Sequence, residues 1–328
     1  MKKVIIITDT YGETNGVSTT INNVKDLINT EEYAVNIISP KDFNVSKNIH
    51  GIDFCFPPKD FLLPYLGSEP FAIHILTEGP IGLSARNFCV SHDLKFTTSL
   101  LTLWDSFLWK NFCFPTPISR LYIKWFHKKS TKLLVSSTGM IQKVRGYNDN
   151  VVLWSKGINP VFYPRNNKER FRALFVGRIS KEKDVEEFLK LDIPHKKIVV
   201  GLGPDYLRLT EKYPNVEFKG NLYGDELAEE YSKASVFVFP SKFDTFGLVL
   251  IEAIACGTPV AAYHVNGPAF VLKSKKVGVT SHDLKLAIKE AEKRFDPDYA
   301  KMFCKRYTWE SSKDQLLKNL EWNNETRS

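Results

Sequence analysis

The stretch Val236–Val260, VFVFPSKFDTFGLVLIEAIACGTPV, decides how this chain folds. Val236–Phe239 is a short apolar run stopped by Pro240, which reads as a strand buried on both faces. A loop, KFDTFG, follows. Leu248–Ala255 is then apolar at nearly every position and is closed by Gly257 and Pro259, the usual stop signals of a helix. The next strand, PVAAYHV, completes a strand–helix–strand unit of parallel α/β type. Two acids break this apolar pattern, Asp244 in the loop and Glu252 in the helix, with seven residues between them. A lone charge buried in a core helix costs several kcal/mol. Glu252 therefore faces solvent or is held by another group.

The same alternation extends in both directions. RALFVGR, KKIVVGLG and VEFKGNL are expected strands of the second half, with helices over Val185–Leu191, Gly224–Lys233 and Leu248–Ala255. In the first half, KVIIITD, AVNIISP, IDFCF, AIHILTE, FTTSLL, KLLVSS and VVLWSKG read as strands, with helices after Gly16 and after Gly79-Pro80. The pattern restarts near residue 170, after the polar stretch NPVFYPRNNKERFR, the expected linker; a last helix covers roughly Trp309–Trp322. Two doubly wound α/β domains in tandem fit 328 residues better than one large sheet. No apolar run is long enough to span a bilayer, and the four-residue apolar run of MKKVIIITDT reads as a strand, not a leader. Five scattered cysteines without metal-ligand spacing point to a reduced, cytoplasmic chain. The net charge of +8 points to an anionic partner: a membrane surface, a phosphorylated substrate or nucleic acid. No recognition motif or basic–aromatic platform supports nucleic acid.

In doubly wound sheets ligands bind at the carboxyl ends of strands. The loop TDTYGETNGVSTT opens a helix near Gly16 and reads equally as a phosphate site or a plain turn. In LFVGRISKEKDVEEFL a strand ends at Gly177, and Arg178 and Lys183 follow where both could reach an anion. GLGPDYL lacks the third glycine of a dinucleotide fingerprint; a close approach of Gly203 backbone to a planar base stays open. In the opening stretch, Asp244, Phe246, Gly247 and Leu248 surround a helix N-terminus, and Glu252 lies about a turn further on. Glu78 in TEGP reads first as a helix cap and second as an acceptor contact. The seven histidines form no ligand-spaced cluster; His74, in a strand, reads as packed or hydrogen-bonded.

The string DTFGLVLIEAIACGTPVAA resembles the acid–seven–acid signature of the retaining glycosyltransferases of family four, which share the GT-B fold. HILTEGPIGLSARNFCVSHDLKFTTS, LWSKGINPVFYP, FVGRISKEKDVEEFL and GLGPDYLRL are similar to segments of bacterial mannosyltransferases using GDP-mannose, and glycolipid synthases using UDP-sugars share much of the pattern. The resemblance implies two Rossmann-like doubly wound domains facing across a cleft. Residues 1–160 would form the acceptor side and 161–308 the nucleotide-sugar side, with 309–328 returning to the first domain. It implies that Glu252 binds the donor ribose and Asp244 the sugar hydroxyls, while Arg178 and Lys183 hold the diphosphate. Gly16, Gly177, Gly203, Phe246, Gly247 and Leu248 would line the donor, and Glu78 and Thr102 the acceptor side. No metal or cofactor is implied beyond the GDP- or UDP-sugar donor; the acceptor would be a lipid-linked molecule or a glycan.

Leu101 departs from that pattern, standing where relatives carry a histidine that contacts the donor sugar. A shifted alignment, transfer without that group, or a weak or inactive nucleotide-sugar-binding protein would each account for it. Outside the signature, ISRLYIKWFHKKSTK (118–132), which includes the candidate membrane segment 119–132, carries five cations and no acid, with Leu121/Trp125 and Tyr122/Phe126 as i,i+4 pairs. It reads as a helix docking on the anionic inner face of the plasma membrane, or as a surface helix whose aromatic stripe packs on the first sheet.

Overall fold

A computed structural model describes residues 1–11, 16–44, 47–49, 52–101, 115–166, 169, 171–242 and 244–324. They fall into two compact units, one drawn from residues 1–101, Pro115–Lys156 and 309–324 and the other from Gly157–Thr308. The division lies at Lys156/Gly157 instead of the expected 160/161. The stretch expected as a linker belongs to the second unit, where the Ile158 N–H donates to the Tyr307 carbonyl at 3.0 Å.

The first unit contains β1 (Lys2–Ile7), β2 (Tyr33–Ile38), β3 (Lys47–Ile49), β4 (Ile52–Phe54), β5 (Phe71–Ile75), β6 (Phe96–Leu100), β7 (Lys132–Val135) and β8 (Val151–Leu153). Its helices are α1 (Gly16–Ile28), α2 (Pro80–Ser91), α3 (Thr116–His127) and α4 (Thr138–Lys143). Apart from the antiparallel pair β3–β4, the strands lie parallel in the order β2-β1-β5-β6-β7-β8. IDFCF thus supplies a strand, but one outside the main sheet. β5 and β6 are buried at every residue, so their polar side chains must satisfy one another. His74 does so through Nδ1 to Thr97 Oγ1 at 2.7 Å and Nε2 to Ser99 Oγ at 2.9 Å. Burial, aided by the charge of Lys156, pushes its pKa down to about 3, so it is a neutral core histidine.

Strand order reverses direction between β1 and β5, and at that switch point Asp9 closes the start of α2. Gly79 and Pro80 offer no capping side chain. Asp9 reaches over from the end of β1 and accepts from the Ile81 N–H at 2.7 Å, the Gly82 N–H at 3.4 Å and Thr77 Oγ1 at 2.7 Å. A carboxylate of the chain itself therefore fills the place where a helix N-terminus would hold an anion.

The second unit contains β9 (Arg172–Val176), β10 (Lys196–Val200), β11 (Glu217–Phe218), β12 (Val236–Phe239), β13 (Val260–Tyr263) and β14 (Gly278–Ser281). Its helices are α5 (Val185–Leu189), α6 (Tyr206–Lys212), α7 (Gly224–Lys233), α8 (Leu248–Ala255), α9 (Asn266–Val271), α10 (Leu284–Arg294) and α11 (Pro297–Cys304). The parallel order β11-β10-β9-β12-β13-β14 is the 3-2-1-4-5-6 arrangement of dinucleotide-binding folds, with its switch point between β9 and β12. Apolar side chains cover both faces of this sheet, which is why its strands read as uninterrupted hydrophobic runs.

The chain ends on the first unit with α12 (Trp309–Asn319) and β15 (Trp322–Asn323). The expected last helix stops three residues short of Trp322, because β15 pairs antiparallel with β5. Trp154 Nε1 donates to the Ser312 carbonyl at 3.1 Å, and the Asn323 amide bonds both backbone groups of Lys95 at 2.9 Å.

Replacing Asp9 by Ala should destabilise the protein by about 1–3 kcal/mol, since it strands the first amides of α2 and the Thr77 hydroxyl. The urea midpoint measures this; a variant as stable as the parent would remove the capping role.

Candidate functional site

The loops after β9 and β12 meet at the second unit's switch point. Gly177 opens the first, followed by an exposed Arg178, and Lys181–Lys183 forms a 3-10 turn that hands over to α5 through Asp184. The second runs from Pro240 to Gly247. Lys183 Nζ donates to both oxygens of Asp244, at 2.7 and 2.9 Å, and Ser241 Oγ donates to the Glu182 carbonyl at 3.4 Å. Both members of the ion pair keep about a quarter of their side-chain surface exposed, 27% and 21%. Such a pair contributes at most about 1 kcal/mol to stability. It does bring a cation and an acid together at the switch point, the place where ligands bind in sheets of this winding.

Helix α8 begins beside this pair. Gly247 turns the chain into it at φ +82°, a conformation that costs a side-chain-bearing residue roughly 1–2 kcal/mol. Phe246 is buried, edge-on to Tyr307 at 5.8 Å, and fixes the approach. In its first turn the Leu250 N–H donates to the Gly247 carbonyl at 3.0 Å. A turn later comes the partly buried Glu252, whose Oε2 accepts from the Tyr231 hydroxyl of α7 at 3.0 Å. Burial pushes its pKa up to about 7, against the pull of that hydrogen bond. The acid inside the apolar helix is thus held by a phenol, a partner that the sequence reading did not identify. Its signal was present: Tyr231 lies on the same face of α7 as Leu227 and Ala228, which also face the core.

The glycines of GLGPDYL have a packing explanation. A Cβ on Gly203 would stand 2.3 Å from the Ile179 carbonyl oxygen, and one on Gly201 2.0 Å from that of Gly177. The close approach is between the β10 and β9 loops, and it accounts for both residues without a planar base. Gly16 is the exposed first residue of α1. A cavity of 570 Å³ walled by Ile158, Phe162, Cys256, Cys304 and Tyr307 contains none of the expected donor residues.

Of the residues expected to meet an acceptor, Glu78 is replaced by Asp9 as the group that bonds the first amides of α2. The Glu78 carboxylate is buried and meets His127 Nε2 at 3.2 Å, while the Tyr122 hydroxyl donates to its carbonyl at 2.6 Å. Thr102 lies outside the described residues. Leu101 directly follows β6. In α3 the two i,i+4 pairs part company. Tyr122 and Phe126 turn inward with Ile123 and His127, whereas Leu121 and Trp125 lie outside with Ile118, exposed by 70%, 46% and 55% respectively. Lys124 and Lys128 share the outer side, and the Arg86 guanidinium covers one face of Trp125 at 3.7 Å. Among the described residues no helix is long and apolar enough to cross a membrane.

Residues 162–295 match the family described as glycosyl transferases group 1. The match covers most of the second unit and points to a glycosyltransferase, and the two parallel-sheet Rossmann-like units are the fold of the GT-B glycosyltransferases. The chain is 23% identical over 317 residues to the GDP-mannose-dependent alpha-mannosyltransferase of Mycolicibacterium smegmatis, covering 85% of this chain and 84% of that protein. It is 32% identical over 164 residues to the protein of that name from Corynebacterium glutamicum, covering 45% of this chain and 39% of that one. Among solved structures, the sucrose-phosphate synthase of Thermosynechococcus elongatus superposes with a TM-score of 0.74 at 19% identity, covering 97% and 98% of the two chains. Anabaena HepE in complex with UDP-glucose gives 0.70 at 13%, covering 96% and 98%.

A raised Glu252 pKa has a consequence for stability. The folded state loses nothing from this group below its ordinary value of 4.5, and stability falls as pH rises through about 7, where a buried carboxylate must ionise. Glu252→Gln should therefore gain on the parent by about 1–3 kcal/mol between pH 5 and pH 8. Urea unfolding at both pH values measures the difference; a gap that stays constant with pH contradicts the assignment.

Proposed function

We propose that the chain is a retaining, metal-independent hexosyltransferase of family-four type. It transfers mannose, by preference, from a nucleoside diphosphate sugar to a lipid-linked or glycan acceptor. The observation that carries this reading is the Lys183–Asp244 pair at the switch point of a group 1 domain, with Glu252 on the adjoining helix. In the donor complex the diphosphate takes Lys183 and Arg178, and the sugar hydroxyls take Asp244. One exposed ion pair is thereby exchanged for several charge-assisted hydrogen bonds. Glu252 receives the ribose hydroxyls. Backbone at Gly177, Gly203, Phe246, Gly247 and Leu248 lines the donor.

Chemistry follows from charge. As the glycosidic bond breaks, negative charge grows on the departing diphosphate, and the two cations and the amides at the start of α8 stabilise it where it develops. Excluding water from the donor limits hydrolysis. GDP-mannose is the favoured donor because the sequence relatives carry it in their names. Leu101, which offers no hydrogen bond at the position of the relatives' histidine, supports a second reading: a protein that binds a nucleotide sugar with little or no turnover.

Thermal unfolding with GDP-mannose, GDP and UDP-glucose is the direct test. The true donor at a hundred times its Kd should add about 2.7 kcal/mol of stability. Labelled transfer should then fall by about 10²–10³ in Lys183→Met. Stabilisation without transfer in the parent supports the second reading; no response to any sugar nucleotide removes both.

The exposed Ile118, Leu121 and Trp125, set among Lys124 and Lys128, support peripheral docking of α3 on an anionic membrane from the cytoplasmic side. The protein should float with vesicles containing phosphatidylglycerol at low salt, and Leu121→Asp should weaken this more than Lys124→Gln. Failure to float with anionic vesicles at low salt excludes membrane docking.

A further inference from the structure

Glu252 is fixed by a single neighbour, and that neighbour is itself fixed from several sides. Tyr231 is fully buried in α7. Its ring meets Phe237 of β12 edge-on at 5.6 Å and Phe162 at 5.9 Å. Its carbonyl accepts from Thr258 Oγ1 at 2.6 Å, which ties α7 to the segment just beyond α8. A phenol in such surroundings has no rotational freedom, and its one proton must find an acceptor. That acceptor is Glu252 Oε2, at 3.0 Å. Among the described residues Glu252 Oε1 accepts no hydrogen bond, and the residue keeps partial exposure. One oxygen is anchored from within the unit and the other is left to an incoming donor.

We propose that Tyr231 is the positioning residue that aims Glu252 at the ribose of the donor nucleotide. The inference rests on the assignment of Glu252 to the ribose hydroxyls made above and adds a residue to it. With Oε2 occupied by the phenol, the carboxylate plane cannot rotate, and Oε1 meets the ribose diol in one orientation. The same bond stabilises the ionised carboxylate, so Tyr231 also sets the pH at which Glu252 becomes a full acceptor. The titratable groups facing Glu252 are this phenol and the Cys256 thiol at the end of α8, which burial holds at about 12 and which therefore stays neutral.

The test compares affinities for GDP and 2′,3′-dideoxy-GDP, and for the corresponding UDP pair, between pH 5.5 and 8.5. The parent should prefer the ribonucleotide by about tenfold or more, the scale of hydrogen bonds to a charged group. In Tyr231→Phe the preference should shrink to about threefold or less, dideoxynucleotide affinity should be unchanged, and the pH midpoint of ribonucleotide binding should move upward. Glu252→Asp keeps the charge but withdraws it from the phenol, so it should lose the preference as well, and it serves if the Phe variant does not fold. Full preference and an unmoved midpoint in Tyr231→Phe, or full preference in Glu252→Asp, overturn the role of Tyr231 while leaving Glu252 in place. A parent protein that does not distinguish the two sugars overturns the ribose assignment itself, and with it this inference.

Discussion

Lys183 and Asp244 are 61 residues apart in the chain and 2.7 Å apart in space. The distance is set by the order in which strands enter the second sheet. β9 and β12 are neighbours although two strands and three helices separate them in sequence, so the loops leaving them emerge side by side and diverge to opposite faces. Everything at the site depends on that adjacency. The cation comes from one loop and the acid from the other, and Gly247 turns the second loop into α8.

The buried or partly buried carboxylates show why Glu252 stands apart. Asp9 is satisfied by helix amides and a hydroxyl, and Glu78 meets His127. Glu230 is held by Arg172 and Lys219. Each of these is a structural solution to the cost of burying charge. Among the described residues the hydrogen-bond partner of Glu252 is a neutral phenol, and burial pushes its pKa up to about 7, as burial also raises that of Asp9. The place of Glu252 on the helix that follows Asp244 fits the ribose-binding role proposed above.

In the first unit the equivalent place is already occupied. At its switch point Asp9 fills the start of α2, and the polar residues of β5 and β6 bond one another. This unit presents instead the outer side of α3, where apolar and basic side chains lie together. Two sheets with related winding therefore carry different chemistry, and the difference lies in a few side chains at strand ends.

Much of this was legible in the residues alone. Short apolar runs between glycines and prolines marked the strands of both sheets, because a parallel strand buried on both faces has no alternative composition. Spacing marked Asp244 and Glu252, and a cation pair after a strand marked Arg178 and Lys183. The sequence could not reveal partners. Nothing local states that Tyr231 reaches Glu252, that Asp9 caps a helix more than seventy residues away in place of Glu78, or that Leu121 and Trp125 face outward while Tyr122 and Phe126 face inward. The short strands β14 and β15 escaped notice for the same reason, since two to four residues become a strand only through their neighbours. Periodicity and turn chemistry are properties of adjacent residues and are written in the sequence; hydrogen-bond pairing and burial are properties of distant residues, and only the closed tertiary structure decides them.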